Sequence, residues 1–121
     1  MRTVAEWKSV LRAALKEAMR AREAPSVSMY RETLAAIENA EAPPKGSGPA
    51  ETSGVIAGAL VGLGAGEAPR LQLSPQDVAA IVMRELRERR EAAASYESLG
   101  RADEAETLRR QASLLEVLLN S

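Results

Sequence analysis

The sequence contains no histidine and no cysteine among its 121 residues. The chain therefore has no disulfide, no thiolate nucleophile, no histidine base and none of the nitrogen or sulfur ligands that zinc usually takes. Its serines lack the histidine that a Ser-His-Asp triad needs. Because an absence of cysteine fits a reducing compartment, we expect a cytoplasmic protein. We also expect that the protein is not an enzyme and that it needs no cofactor.

Aromatic residues and excess charge are also scarce. The only aromatic residues are Trp7, Tyr30 and Tyr96, too few for a platform on which nucleic-acid bases stack. The 16 basic and 17 acidic residues nearly cancel, so any binding of nucleic acid has to come from a local basic patch. The longest apolar stretch, residues 54–66, is shorter than the roughly 20 residues of a membrane-spanning helix, and we expect no membrane partner.

Four segments carry apolar residues at steps of three and four, the spacing of one face of an α-helix. They predict helices over Val4 to about Arg22, about Ser26 to Glu41, Pro75 to about Leu99, and Ala102 to about Leu119. The pattern contains no credible strand. We therefore predict an all-α fold, an antiparallel bundle of about four main helices in a single domain spanning residues 1–121.

The ends of these helices carry their own sequence signals. Ser26 and Ser74 are predicted N-caps, and Thr3 with Glu6 predicts a capping box. Gly100 lies between the third and fourth helices, where glycine can take the left-handed conformation that closes a helix. We therefore expect a positive φ at Gly100 and a sharp reversal that makes the last two helices an antiparallel hairpin.

A long insertion rich in glycine and alanine, residues 43–73, separates the second and third helices. Its first part, residues 43–49, has the proline and glycine content of a linker. Its second part is apolar, and the side chains that favour burial there are Val55, Ile56, Leu60, Val61 and Leu63. We expect the insertion to pack on the bundle. The alternative is an interface with a second molecule, for which a homodimer is the simplest case.

A charged pair interrupts the apolar face of the third helix. Glu85 and Arg89 fall on the same face as Val82 and Leu86, four residues apart with the acid first, the favoured orientation for an ion pair. A pair on an inward face either fixes the register of the helices or lines a groove. We favour a third interpretation, a partly exposed pair at the helix edge, because charged side chains are rarely fully buried.

Basic residues recur along two of the predicted helices. On the first and third helices, respectively, they are Lys8, Arg12, Lys16 and Arg20, and Arg84, Arg87 and Arg90. If the two faces adjoin, they form a patch that can follow a phosphate backbone. Glu17, Glu88 and Glu91 dilute such a patch, and ordinary solvated faces are the alternative interpretation.

The end of the third helix carries a composite motif: Arg87-x-Arg89-Arg90-Glu91, then Tyr96, then Gly100-Arg101-x-Asp103 with Ala105. The first two helices add Leu15-Lys16-Glu17-Ala18-Met19-Arg20-Ala21-Arg22 and Ala36-Ile37-Glu38-Asn39-Ala40-Glu41. Together these segments resemble the YqeY-type family. Its members are bacterial relatives of the C-terminal region of GatB, a subunit of the glutamine-dependent tRNA amidotransferase.

The resemblance implies an accessory function. In GatB the corresponding region is implicated in holding tRNA, so the implied partners are tRNA or an amidotransferase-like complex. The family label of a carbon–nitrogen ligase with glutamine as amide donor describes chemistry that belongs to another subunit. Two departures are the long apolar connection between the second and third helices and the lack of the small C-terminal helical domain that usually follows.

Two functions from different classes remain after these exclusions. The first is a non-catalytic, RNA-binding helical module, with tRNA as the candidate RNA. The second is a scaffold for protein interaction or oligomerisation that uses the apolar residues 54–66.

Overall fold

The computed structural model describes residues 1–43 and 69–121, and within these ranges the chain is all-α. It contains the helices α1 (Val4–Arg20), α2 (Ala24–Glu41), α3 (Pro75–Ser98) and α4 (Ala102–Asn120). The predicted all-α helical bundle is therefore confirmed. The apolar side chains predicted to pack or to form an interface lie outside the described residues: Val55, Ile56, Leu60, Val61 and Leu63.

The chain divides into two compact units. The larger comprises Met1–Ile37 and Ser74–Ser121, and the smaller comprises Glu38–Leu73. In the described part of the smaller unit, the N–H of Leu71 donates to the carbonyl of Glu41 at 2.7 Å. The guanidinium of Arg70 lies 3.3 Å from the Glu41 carboxylate. These contacts fasten residues 70–71 to the last residue of α2.

The core of the larger unit draws on all four helices. Its fully buried side chains are Leu11, Met29, Thr33, Ile37, Val78, Val82 and Leu115. Burying an apolar side chain of this size stabilises the fold by about 1.5–3 kcal/mol relative to leaving it in water. Thr33 is the polar member. Its hydroxyl donates to the carbonyl of Met29 at 2.8 Å, so the buried hydroxyl has a hydrogen-bond partner within α2 itself.

Capping boxes start α1 and α3, as the sequence predicts for α1. The hydroxyl of Thr3 accepts from the N–H of Glu6 at 3.1 Å, and the Glu6 carboxylate accepts from the N–H of Thr3 at 2.9 Å. Ser74 and Asp77 make the same reciprocal pair at 3.0 and 2.9 Å. Each box satisfies two N–H groups that a helix start leaves without a helical partner, and a cap of this kind contributes about 1 kcal/mol.

The start of α2 corrects the predicted N-cap at Ser26. The helix begins at Ala24, so Ser26 lies inside the first turn, where its hydroxyl is 3.5 Å from the Glu23 carboxylate. The N–H of Val27 donates to the carbonyl of Glu23 at 3.0 Å, which places Glu23 at the cap. Pro25 permits this start because a proline in the first turn has no helical hydrogen bond to lose.

α3 ends in a Schellman motif with Gly100 as its left-handed residue. Gly100 has φ +77°, the positive value that the sequence predicts. The N–H of Arg101 donates to the carbonyl of Tyr96 at 2.9 Å, and the N–H of Gly100 donates to the carbonyl of Glu97 at 3.0 Å. The chain reverses at this motif, and Arg90 of α3 then meets Glu116 of α4 at 2.8 Å.

α1 ends in the same motif without a glycine, two residues before its predicted end at Arg22. Arg22 has φ +58°. The N–H of Glu23 donates to the carbonyl of Ala18 at 3.0 Å, and the N–H of Arg22 donates to the carbonyl of Met19 at 3.1 Å. The left-handed conformation costs an ordinary L-residue roughly 1 to 2 kcal/mol, so the motif holds Arg22 under strain.

Arg2 joins the start of the chain to the end of α4. Its guanidinium donates to the carbonyl of Leu118 and to the hydroxyl of Ser121. It also lies 4.9 Å from the ring centroid of Trp7, in the geometry of a cation–π contact. Trp7 itself is only 3% exposed, so Arg2 covers the outer side of a core residue.

Candidate nucleic-acid interface

The basic row of α1 turns away from the core as it advances. Because an α-helix has 3.6 residues per turn, each four-residue step moves the row by about 40° around the axis. Lys8 is accordingly half-buried and is not free of partners, whereas Arg12 and Lys16 are exposed. Arg20 is exposed and lies 3.6 Å from Glu17. The structure thus separates Arg12 and Lys16 from the other two candidates of this row.

The three candidate arginines of α3 also separate into two kinds. Arg84 and Arg87 are exposed, and within residues 1–43 and 69–121 neither side chain makes an ion pair or a hydrogen bond. Arg90 instead pairs with Glu116 of α4 at 2.8 Å, with both side chains about half exposed. Arg84 and Arg87 therefore remain available to an anion in solution, whereas Arg90 is already engaged.

Acidic neighbours on α3 do not neutralise these two arginines. Glu88 and Glu91 are exposed and stand four residues after Arg84 and Arg87, respectively. The order with the arginine first is the less favourable one for a helical ion pair, and neither pair forms in the described part of the chain. The acidic side chains still lower the local potential, so any phosphate binding here has to use direct contacts.

Arg89 is buried and Glu85 is nearly so, which places the pair deeper than the partly exposed position expected at the helix edge. The side chains of Arg89 and Glu85 are 8% and 13% exposed, and their closest nitrogen and oxygen lie 2.8 Å apart. A third residue makes this burial tolerable: Glu32 of α2 accepts from the other guanidinium nitrogen of Arg89 at 2.5 Å. The cluster thus joins α2 to α3.

Two further arginines without ion pairs are not among the candidates that the sequence predicts. Arg22 and Arg31 are exposed and have no ion pair or hydrogen bond from their side chains within the described ranges. Both line one shallow pocket of about 550 Å³ beside Met19. Arg22 and Arg31 are nine residues apart, and the end of α1 lies close to Arg22, so no helical spacing relates them. Only the structure shows that they line the same pocket.

The described residues hold neither a metal cluster nor a membrane span. Across residues 1–43 and 69–121, no group of three or more histidine, cysteine, aspartate or glutamate side chains is placed to hold a metal ion. No helix in the same ranges is both long enough and apolar enough to cross a bilayer.

Comparisons of the chain with protein-family models, with curated proteins and with solved structures find no match. The resemblance to YqeY-type proteins and to the C-terminal region of GatB therefore stays a prediction from the motifs of the sequence.

Proposed function

We propose that this protein is a non-catalytic accessory module that binds RNA in the cytoplasm, with tRNA as the candidate RNA. The observation that carries the proposal is a set of exposed cations without partners in the described part of the chain. On α1 and α3 the set, here called the free cations, consists of Arg12, Lys16, Arg84 and Arg87.

A free cation favours a phosphate contact for an energetic reason. A paired arginine has to give up its carboxylate before it binds a phosphate, whereas an unpaired one only exchanges water and counterions. The net charge of the chain is −1, so long-range attraction contributes little. Binding of RNA therefore depends on local contacts, whose strength falls steeply as the salt concentration rises.

The absence of histidine and cysteine supports an accessory role. A chain without histidine or cysteine lacks the commonest bases and the strongest nucleophile of enzymes. The proposed relation to the helical part of GatB supplies the context, since an amidotransferase-like complex would perform the chemistry in another subunit. The present chain would hold or position the RNA.

Fluorescence anisotropy with labelled tRNA at several salt concentrations tests the proposal. We expect wild-type binding, and we expect R12Q/K16Q and R84Q/R87Q each to weaken it. The slope of log K against log salt should fall by about 0.7 to 0.9 for each lost phosphate contact. The matched control is R20Q/R90Q, which removes the same charge from α1 and α3 but at arginines that are already paired, and it should change the slope least.

A wild-type protein that fails to bind tRNA even at low salt would contradict the proposal. The scaffold hypothesis, which rests on residues 54–66, would then be the one to pursue. Deleting residues 54–66 and measuring the mass in solution tests it, because a dimer that becomes a stable monomer identifies an interface.

A further inference from the structure

The pocket between the end of α1 and the start of α2 combines two charges with an apolar wall. Arg22 and Arg31 supply the guanidinium groups, and Met19, Ala24 and Val27 supply the apolar surface. Met19 is 50% exposed, so its side chain offers apolar surface to a ligand in this pocket. The pocket is shallow and open, so it suits part of a long ligand better than an enclosed small molecule.

The two guanidinium groups are not neutralised by the acidic residues beside them. Glu32 lines the same pocket, but its carboxylate accepts from the buried Arg89 at 2.5 Å. Glu23 follows Arg22 in the chain, and its carboxylate faces the hydroxyl of Ser26 at 3.5 Å. Both acids therefore interact with other partners, and Arg22 and Arg31 keep their charges available.

The fold gives no reason for an arginine at position 22. Both hydrogen bonds of the motif at the end of α1 use backbone groups, and φ +58° suits glycine better than any residue with a Cβ. The side chain of Arg22 makes no hydrogen bond or ion pair within residues 1–43 and 69–121. An unused guanidinium on a strained backbone is therefore better explained by a ligand than by folding.

We infer that Arg22 and Arg31 bind a backbone phosphate of an unpaired nucleotide, whose ribose or base lies against Met19 and Val27. The inference rests on the proposed RNA-binding function and assigns it a substrate class. A guanidinium presents a planar fork that fits two oxygens of a phosphate or a carboxylate, and two such forks in one pocket favour a ligand with several anionic oxygens, such as a phosphate. An apolar wall beside them suits a base that has left its stack, as in RNA loops and ends.

The test compares a labelled single-stranded RNA with a duplex of the same sequence. The variant R22Q/R31Q should bind the single strand at least about tenfold more weakly than wild type, and its salt slope should fall by about 0.7, because the contact to one phosphate is lost. Binding of the duplex should change less. The control R109Q/R110Q removes two charges from α4, where both arginines are paired with glutamates, and should keep the wild-type slope.

A second variant separates binding from folding. Arg22→Gly should raise the melting temperature, because glycine accepts the left-handed backbone, and should still weaken binding of the single strand. A residue with only a structural role would not move stability and affinity in opposite directions. The inference is overturned if R22Q/R31Q binds the single strand as wild type does, or loses as much affinity for the duplex. If wild type binds no RNA, the proposed function fails as well.

Discussion

Arg22 and Gly100 occupy the same position in two equivalent helix-closing motifs, with φ +58° and +77°, respectively. In each motif the N–H of the following residue donates to the carbonyl five residues back, at 3.0 Å for Glu23 and 2.9 Å for Arg101. Only Gly100 is the residue type that this geometry favours. One helix end is therefore relaxed and the other is strained, although their hydrogen bonds are alike.

The strained end leads to a prediction about stability. We expect Arg22→Gly to raise the free energy of unfolding by about 0.5 to 1 kcal/mol, since relief of the left-handed strain exceeds the extra chain entropy of glycine in the unfolded state. Denaturant titration followed by circular dichroism measures the change. Arg22→Ala is the control, because it removes the guanidinium but keeps a Cβ, and it should bring no such gain.

The relaxed end gives the converse prediction. A Cβ built on Gly100 would meet no atom within 4 Å, so any cost of substitution comes from the backbone alone. Gly100→Ala should destabilise by about 1 kcal/mol, Gly100→Asn by less and Gly100→Val by more, because asparagine tolerates this conformation and a β-branched residue resists it. Equal melting temperatures across the series would show that the turn does not need a left-handed residue.

The cluster of Arg89, Glu85 and Glu32 predicts that the stability of the fold depends strongly on the charge of Arg89. Arg89→Met should destabilise by about 3 to 5 kcal/mol, because it leaves the Glu85 carboxylate, which is 13% exposed, without its partner. Glu32→Gln should cost less than about 1 kcal/mol, because the Glu32 side chain is 61% exposed. Unfolding in urea measures both changes.

The double variant Glu85→Gln/Arg89→Met is the matched control for the cluster. It removes the arginine together with the charge that the arginine neutralises, so it should recover a large part of the stability lost in the single variant. If the single and the double variant are equally unstable, packing of the arginine stem, and not its charge, accounts for the loss.

Contacts around Arg2 predict a change in fluorescence. Trp7 is the sole tryptophan and is buried beneath Arg2. The central guanidinium carbon of Arg2 lies 4.9 Å from the centroid of the Trp7 ring. Arg2→Ala should shift the Trp7 emission to longer wavelength, raise its quenching by acrylamide, and destabilise by about 0.5 to 1 kcal/mol. Arg2→Lys keeps the charge but loses the planar fork, so its effect should be intermediate. An emission spectrum unchanged in Arg2→Ala would rule out this covering role.

Local sequence signals predict helix ends well where the partners are three residues apart. The capping box of Thr3 with Glu6 is one example, and the left-handed Gly100 is another. The start of α2 was predicted two residues late, at Ser26, although Pro25 fits the first turn of a helix.

Long-range partners explain what the sequence does not predict. The burial of Arg89 depends on Glu32, which lies 57 residues away, and no periodicity connects the two positions. Similarly, nothing in the sequence marks Arg22 as left-handed, since glycine is the residue that signals this turn. The free cations Arg12 and Arg84 were predicted from helical spacing, but their lack of ion pairs depends on the packed neighbours.

Recovery of RNA with the protein from native cells tests directly whether the protein binds RNA. The full-length chain would be isolated at low salt beside R12Q/K16Q/R84Q/R87Q, and both bound RNA and bound proteins would be measured. If the protein binds RNA through these cations, RNA enriched in tRNA should accompany the wild type and be released as the salt concentration rises. Little RNA should accompany the variant. The proposed RNA binding would be contradicted if the wild type is isolated with a protein partner but with no more RNA than the variant.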